Sequence, residues 1–265
     1  MEYRRLGKTD EKVSSIGMGT WRIGSYNTEE ERANQVRAIR RGIELGVNLI
    51  DTAEMYGDGM SERLVAESIS DRRQDVFVAT KVWPNHLHHD DVINACERSL
   101  QRLGIRQIDL YQIHWPNTSV PIRETMAAME ELVRTGKIRY IGVSNFSVEQ
   151  VQEAREALPK SELVSNQVEY SITNRSAESE ILPHCRREGI TLIAYSPLAR
   201  GAIPTSHVPA ALQRKYKMTP AQVMLNWTTR YEEVIAIPKA AHVNHMEENA
   251  ASVSIRFTQS EYDEI

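Results

Sequence analysis

Cysteine is scarce in this chain of 265 residues, which contains only Cys96 and Cys185. Two cysteines exclude a small scaffold stapled by disulfides. Both fall in helical patterns, which predicts reduced thiols in a cytoplasmic protein; a disulfide between them stays open at this point. No stretch approaches the roughly 18 consecutive apolar residues of a membrane helix, so no membrane span is expected. The opening stretch, MEYRRLGKTDEK, has no apolar segment of the secretory kind. An excess of one charge is missing too. Lys and Arg number 32, Asp and Glu 36, and the formal net charge is -4. Without a basic stripe or an acidic block, neither nucleic acid nor a disordered tail is expected. No linker, low-complexity tract or helical repeat breaks the chain, so one domain over residues 1–265 is expected.

What is present is a regular alternation. The apolar runs SIGMGT, VNLID, VFVATK, IDLYQIHW, IRYIGVSN, LVSNQVEY, ITLIAYS and VIAIPK are short and rich in β-branched residues. Between them lie segments with apolar residues at helical spacing. EERANQVRAIRRGIELG ends at Gly46, and DDVINACERSLQRLG ends at Gly104, with Asp90 or Asp91 expected as its N-cap. PIRETMAAMEELVRTG begins with proline in its first turn. Eight such alternations predict an α/β fold, a (β/α)8 TIM barrel, with YRRLGKTDEKVS as a hairpin closing its floor. An open doubly wound sheet is the competing architecture. It is weakened because no strand is followed by GxGxxG; GMGTWRIG comes nearest, with Arg22 at the third glycine position.

A (β/α)8 barrel carries its active site at the C-terminal ends of its strands. Reading those ends in order gives Asp51, Lys81, His114, then Ser144 with Asn145, then Asn166 with Gln167, then Tyr195 with Ser196, and last Lys239. Tyr56 lies five residues beyond Asp51, against a Gly-Asp-Gly turn. Singly, such residues are turn, cap or solvated groups. Together on one rim they suit proton delivery. A free phenol has a pKa of about 10, and a nearby ammonium favours its ionised form. Lys81 is expected to supply that ammonium and lower the Tyr56 pKa, with Asp51 holding Lys81. A neutral His114 would donate a hydrogen bond to a substrate oxygen. No nucleophile elbow and no Ser-His-Asp order suited to acyl transfer occurs. The cluster NHLHHDD, residues 85 to 91, is a loop entering a helix and is set aside as a metal site.

The motifs GMGTW, NLIDTAEMYG, VFVATKVWP, IDLYQIHWP, IRYIGVSNF, NQVEYS, IAYSPLARG and IPKAAHVNHMEEN occur in an order that resembles the aldo-keto reductase family over essentially the whole chain. The resemblance implies reduction of aldehydes and ketones with NADPH, and a catalytic tetrad of Asp51, Tyr56, Lys81 and His114. It implies a cofactor laid across the rim and touched by Thr20, Trp21, Asp51, Ser144, Asn145, Gln167, Tyr195, Ser196, Pro197, Leu198, Ile237, Lys239, His245, Glu248 and Asn249. One departure concerns the 2′-phosphate. Members preferring NADPH carry Ser or Thr after the IPK lysine and an arginine five residues on; here the residues are Ala240 and His245. Discrimination against NADH should therefore be weaker than usual, because a planar guanidinium fork is hard to replace.

Trp21, Trp83 and Trp115 follow strand ends and, with Tyr56 and His114, are expected to wall the substrate pocket, while Trp227 is expected in the core. Longer relatives add a C-terminal loop over the substrate. This sequence stops at FTQSEYDEI, which predicts an open pocket and broad specificity for small aldehydes or ketones. A monomer is expected from the resemblance. Two rivals are a nicotinamide-binding regulatory subunit with little turnover, as in relatives that associate with potassium channels, and a lyase using Lys81 as a Schiff base. The intact tetrad and the absence of an N-terminal extension weigh against the first, and Asp51 and Tyr56 against the second.

Overall fold

The computed structural model describes residues 1–202 and 208–265. An antiparallel hairpin of β1 (Tyr3–Arg5) and β2 (Lys12–Ser14) comes first, with Tyr3 opposite Ser14 and Arg5 opposite Lys12. Eight strands follow in one parallel sheet: β3 (Met18–Gly19), β4 (Leu49–Asp51), β5 (Phe77–Val82), β6 (Ile108–Ile113), β7 (Ile138–Ser144), β8 (Leu163–Glu169), β9 (Thr191–Tyr195) and β10 (Val234–Ala236). Spatial order follows chain order. The first and last strands meet: Gly17 N–H donates to Ala236 O at 2.8 Å, Gly19 N–H to Pro238 O at 3.1 Å, and Ala236 N–H to Ser15 O at 3.0 Å. The sheet is thus closed, and the fold is a (β/α)8 barrel.

Glycine makes the seam. A Cβ on Gly19 would stand 2.6 Å from Ile237 O, so a side chain there would push β10 away. At Gly142 a Cβ would stand 2.4 Å from Ser165 Oγ inside the barrel. The SIGMGT run therefore yields only a two-residue strand, because most of its pairing with the last strand is through isolated bridges at Ile16 and Gly19.

The helices are α1 (Glu29–Glu44), α2 (Met60–Ile69), α3 (His89–Leu103), α4 (Ile122–Arg134), α5 (Val148–Glu156), α6 (Ile181–Glu188), α7 (Ala210–Tyr216), α8 (Pro220–Thr228), α9 (Val243–Ala251) and α10 (Gln259–Asp263). Side chains set several of their starts. Thr28 caps α1, and Ser147 with Gln150 and Thr219 with Gln222 form capping boxes on α5 and α8. Two expected starts shift. His88, not Asp90 or Asp91, is the N-cap of α3; both aspartates lie in its first turn, where they still face the positive end of the helix. Pro121 is the N-cap residue of α4 rather than its first turn.

Two cores result. Inside the barrel, Leu49, Phe77, Ala79, Leu110, Ile193 and Ile235 pack with Leu6 and Val13 from the hairpin, which therefore plugs the floor as expected. A larger core, including Trp227, fills the space between strands and helices. Asn48 interrupts an apolar run because it docks the plug: its Oδ1 accepts from Ser14 N–H at 2.7 Å and its Nδ2 donates to Lys12 O at 3.0 Å. Cys96 and Cys185 are buried free thiols. Among the described residues, no helix is long and apolar enough to cross a membrane.

Candidate active site

Side chains alternate along a strand, so one inward face can pass from apolar to polar as it nears the barrel mouth. On β5 that face reads Phe77, Ala79, Lys81; on β4, Leu49 and Asp51; on β6, Leu110 and Gln112. The register sets Asp51 beside Ala79 and Lys81 beside Gln112. Lys81 is fully buried, and its Nζ donates to Asp51 Oδ2 at 2.6 Å and to Thr52 O at 2.9 Å. The other Asp51 oxygen accepts from Gln167 Nε2 at 2.8 Å and Gln112 Nε2 at 3.3 Å. A charge pair this dry persists only because its lone pairs and protons are met on nearly every side.

Tyr56 sits partly buried in the loop between β4 and α2, its ring centre 5.2 Å from Lys81 Nζ. His114 lies just past β6, where its N–H extends the ladder to Val82 O at 3.0 Å. Its ring meets Tyr56 edge-on at 5.6 Å and Trp83 edge-on at 5.4 Å. The three residues read from strand ends, Asp51, Lys81 and His114, thus gather with Tyr56 at one end of the barrel.

Their electrostatics differ in one respect from the sequence expectation. Burial pushes the Tyr56 phenol up, Lys81 pulls it down, and burial wins, so its pKa is raised rather than lowered. Burial also pushes the Lys81 ammonium down, but Asp51 and Tyr56 more than reverse this, so Lys81 stays charged. His114 is lowered to about 3, first by burial and then by Lys81, so it is a neutral imidazole at any working pH. The cluster at neutral pH is therefore a phenol, an ammonium, a carboxylate and an uncharged imidazole.

Around this centre the other expected residues fall into groups. Ser144 Oγ donates to Gln167 O at 2.9 Å, and Asn145 Nδ2 donates to His114 O at 3.1 Å. Tyr195 O–H donates to Asn145 Oδ1 at 3.0 Å, which fixes its half-buried ring at the mouth. Asn145 and Ser196 both adopt positive φ, 62° and 51°, a strained conformation for residues other than glycine. Pro197 is buried beside a partly exposed Leu198. Thr20 is fully buried: its hydroxyl donates to Asp51 O at 3.0 Å and accepts from Ser61 Oγ at 2.8 Å. Trp21 and Trp115 are exposed, at 44% and 46%, and Trp83 is partly buried.

Farther along the mouth, Ile237 is buried, Lys239 is exposed and Ala240 is buried. His245 stands exposed in the first turn of α9, its ring 5.6 Å from that of His242, the residue capping the helix. Glu248 accepts from Thr219 Oγ1 at 2.5 Å, and Asn249 is buried with its Nδ2 lacking any partner. The sequence motifs do not single out Gln112 or Glu54. Gln112 lies two residues before His114 in IDLYQIHW, on the same face of β6, and that period is the available signal. Nothing local marks Glu54, whose partners come from α3 and the loop after β5.

Comparison with known proteins places the family and the fold. The model of the aldo/keto reductase family matches residues 15–265. The chain is 39% identical to the methylglyoxal reductase YeaE of Escherichia coli (strain K12) over 257 residues, which is 95% of this chain and 89% of that protein. A thermostable aldo-keto reductase, Tm1743, solved with the inhibitor epalrestat, superposes with a TM-score of 0.94 at 39% identity, over 99% of this chain and 98% of that one. An aldo/keto reductase from Klebsiella pneumoniae, solved with NADP and acetate, gives a TM-score of 0.89 at 37% identity, over 98% and 93%.

Proposed function

The chain belongs to the aldo/keto reductase family, and we propose that it reduces aldehydes and ketones to alcohols with NADPH, acting as one barrel domain over residues 1–265. The observation that carries this reading is the buried Lys81–Asp51 pair with Tyr56 and His114 gathered about it. The names of the relatives support it: one is a methylglyoxal reductase, and another was crystallised with NADP.

The residues at the mouth fit such a cofactor. Ser144, Asn145 and Gln167 offer amide and hydroxyl groups for the carboxamide, and the Tyr195 ring is already fixed for stacking. Ser196, Pro197 and Leu198 lie along the same edge. Asn249 has a buried amide nitrogen without a partner, as an adenine contact requires. Trp21, Thr20, Ile237, Lys239, His245 and Glu248 complete the set, with Thr20 acting through backbone and packing because its hydroxyl is already engaged. When bound, the reduced nicotinamide supplies a hydride to the carbonyl carbon.

The chain's own part is proton delivery and orientation. His114, held neutral, donates a hydrogen bond to the carbonyl oxygen and aims it at Tyr56. Tyr56 gives its proton to that oxygen as the carbonyl carbon gains the hydride, leaving an alcohol and a phenolate. A raised ground-state pKa keeps the phenol fully protonated before the step. Lys81 then lies beside the phenolate and lowers the cost of forming it. Asp51 holds Lys81 in place, and Gln112 and Gln167 hold Asp51. Trp21 and Trp115, both exposed, and Trp83, edge-on to His114, are read as the aromatic wall of an open pocket, which accords with broad specificity. Ala240 and His245 support use of NADH beside NADPH.

The test is oxidation of NADPH, and separately NADH, by the purified protein with a reactive aromatic aldehyde, beside Tyr56→Phe. Turnover falling by about 10²–10⁴ in the variant, with cofactor affinity within about twofold, is the expected result. Folded wild-type protein that binds cofactor and turns over no carbonyl would overturn the reading in favour of a regulatory subunit.

A further inference from the structure

Glu54 lies in the loop between β4 and α2, three residues after Asp51 and two before Tyr56, and is only 8% exposed. Its side chain reaches away from Asp51 to a second loop. Oε1 accepts from Trp83 N–H at 2.7 Å and from His86 Nδ1 at 2.9 Å. A carboxylate only accepts, so the shared proton sits on His86 Nδ1. Oε2 faces Arg102 Nη2 at 3.9 Å, and Arg102 in turn donates from Nε to the fully buried Glu62 at 2.5 Å. Glu62 is fixed by Thr80 Oγ1 at 2.6 Å. Arg102 also lies directly over Gly59, where a Cβ would stand 2.3 Å from its Cδ. One carboxylate thus bridges the loop carrying Tyr56, the loop carrying Trp83 and helix α3.

We propose that Glu54 is a positioning residue for substrate: its carboxylate ties the Tyr56 loop to the Trp83 loop and so sets the distance between the proton donor and the aromatic wall. This rests on the reductase reading above. Trp83 N–H is the first amide past the end of β5, and the strand supplies it with no partner of its own. Without the carboxylate that amide and the indole attached to it lose their anchor. The indole packs edge-on to His114 at 5.4 Å, and His114 packs edge-on to Tyr56 at 5.6 Å. A displaced wall therefore moves the surface against which His114 and the carbonyl are oriented. The Glu54 carboxylate is taken up by Trp83, His86 and Arg102, so its effect should fall on substrate fit rather than on cofactor binding.

Two substitutions separate reach from charge. Glu54→Gln keeps the length and one acceptor oxygen for Trp83 N–H but loses the charge. Glu54→Asp keeps the charge and is one methylene too short. With NADPH-loaded enzyme and benzaldehyde as probe, Glu54→Asp should raise KM about tenfold or more, with kcat within about threefold and NADPH Kd within about twofold, as expected for a sub-ångström misplacement. Glu54→Gln should stay near wild type. Combining Glu54→Asp with Trp83→Phe should raise KM no further than the larger single effect, because the two act through one contact. Propanal, which spans less of the wall, should show a smaller change. If Glu54→Gln is impaired as much as Glu54→Asp, or if the effects of Glu54→Asp and Trp83→Phe multiply, Glu54 does not act by holding Trp83 and the proposal is overturned. Acrylamide quenching of Trp83, taken as the difference from Trp83→Phe, reads the same displacement without turnover. It should rise in Glu54→Asp and not in Glu54→Gln even if no carbonyl were reduced, so a failure of the reductase reading stays distinct from a failure of this one; unchanged quenching in Glu54→Asp overturns the proposal.

Discussion

Lys81 Nζ stands 2.6 Å from Asp51 Oδ2 with both side chains shut off from solvent. The pair spans neighbouring strands, and each partner is the only charge of opposite sign within bonding reach of the other among the described residues. Removing one member's charge leaves the other buried and uncompensated, whereas removing both charges leaves a neutral site in which an amide in place of the Asp51 carboxylate keeps an oxygen for Gln112 and Gln167. Asp51→Asn should therefore lower unfolding free energy by about 3–5 kcal/mol. The double change with Lys81→Met should recover most of that loss while turnover stays absent. Urea denaturation of the three proteins measures it; a double variant no more stable than Asp51→Asn would contradict the pairing argument.

His114 gives the protein an acid limit of calculable sign. The folded protein keeps this imidazole neutral down to about pH 3, while the unfolded chain takes up the proton near pH 6.5. Its contribution to stability is thus intact above pH 6.5 and is lost as pH falls toward 3. The slope from this one group approaches about 1.4 kcal/mol per pH unit between those limits. Stability curves of wild type and His114→Gln at several pH values in this window should diverge, with the variant the less pH-sensitive. Parallel curves would mean that His114 takes its proton in the folded state as readily as in the unfolded chain.

His245, exposed at the start of α9 beyond the Lys239 end of the last strand, offers one ring where a guanidinium would offer a fork. His245→Arg should tighten NADPH by about tenfold, or about 1.4 kcal/mol, and NADH by much less. Fluorescence titration with the two cofactors decides it. Equal gains for both would place His245 away from the 2′-phosphate.

Gly142 faces the barrel interior, and Gly142→Ala would press a methyl group onto Ser165 Oγ and Gln112 Cγ. Overpacking of this kind should cost about 1–3 kcal/mol. Because Gln112 holds Asp51, kcat should fall as well. Thermal unfolding and steady-state rates on the same preparation check both. A variant as stable as wild type would show that the interior gives way more readily than its packing implies.

Much of this architecture is written locally. The eight runs become the eight strands because a parallel barrel buries both faces of each strand, and continuous apolar stretches mark that burial. The polar strand ends are legible for the same reason: an acid or lysine terminating such a run has only the mouth to face. Other features depend on partners distant in sequence. β3 shrinks to two residues because its edge is completed by bridges more than two hundred positions away. The sequence predicts the wrong sign for the Tyr56 pKa because a nearby lysine can be counted from a motif, whereas depth of burial cannot. Thr20 matches a motif, yet its hydroxyl faces Ser61 and the Asp51 carbonyl. Glu54 lies inside NLIDTAEMYG, but the motif assigns it no role, and its contacts emerge only where two loops and a helix converge.

The seam between β3 and β10 also imposes an order on biogenesis. A ribosome delivers β3 more than two hundred residues before β10, but its outer edge finds a hydrogen-bonding neighbour only when Ala236 and Pro238 arrive. Until then the nascent sheet keeps an open edge at each side, and an open edge invites association with other chains. The glycines that permit a tight seam leave β3 short, with Met18 turned into the core and no side chain on Gly19. The hairpin ahead of it, with Leu6 and Val13 ready to plug the floor, likewise has no cavity to enter until the ring is nearly complete. Closure is therefore the late event that gathers these parts at once, and the vulnerable interval in the life of this protein lies between synthesis of the first strand and arrival of the last.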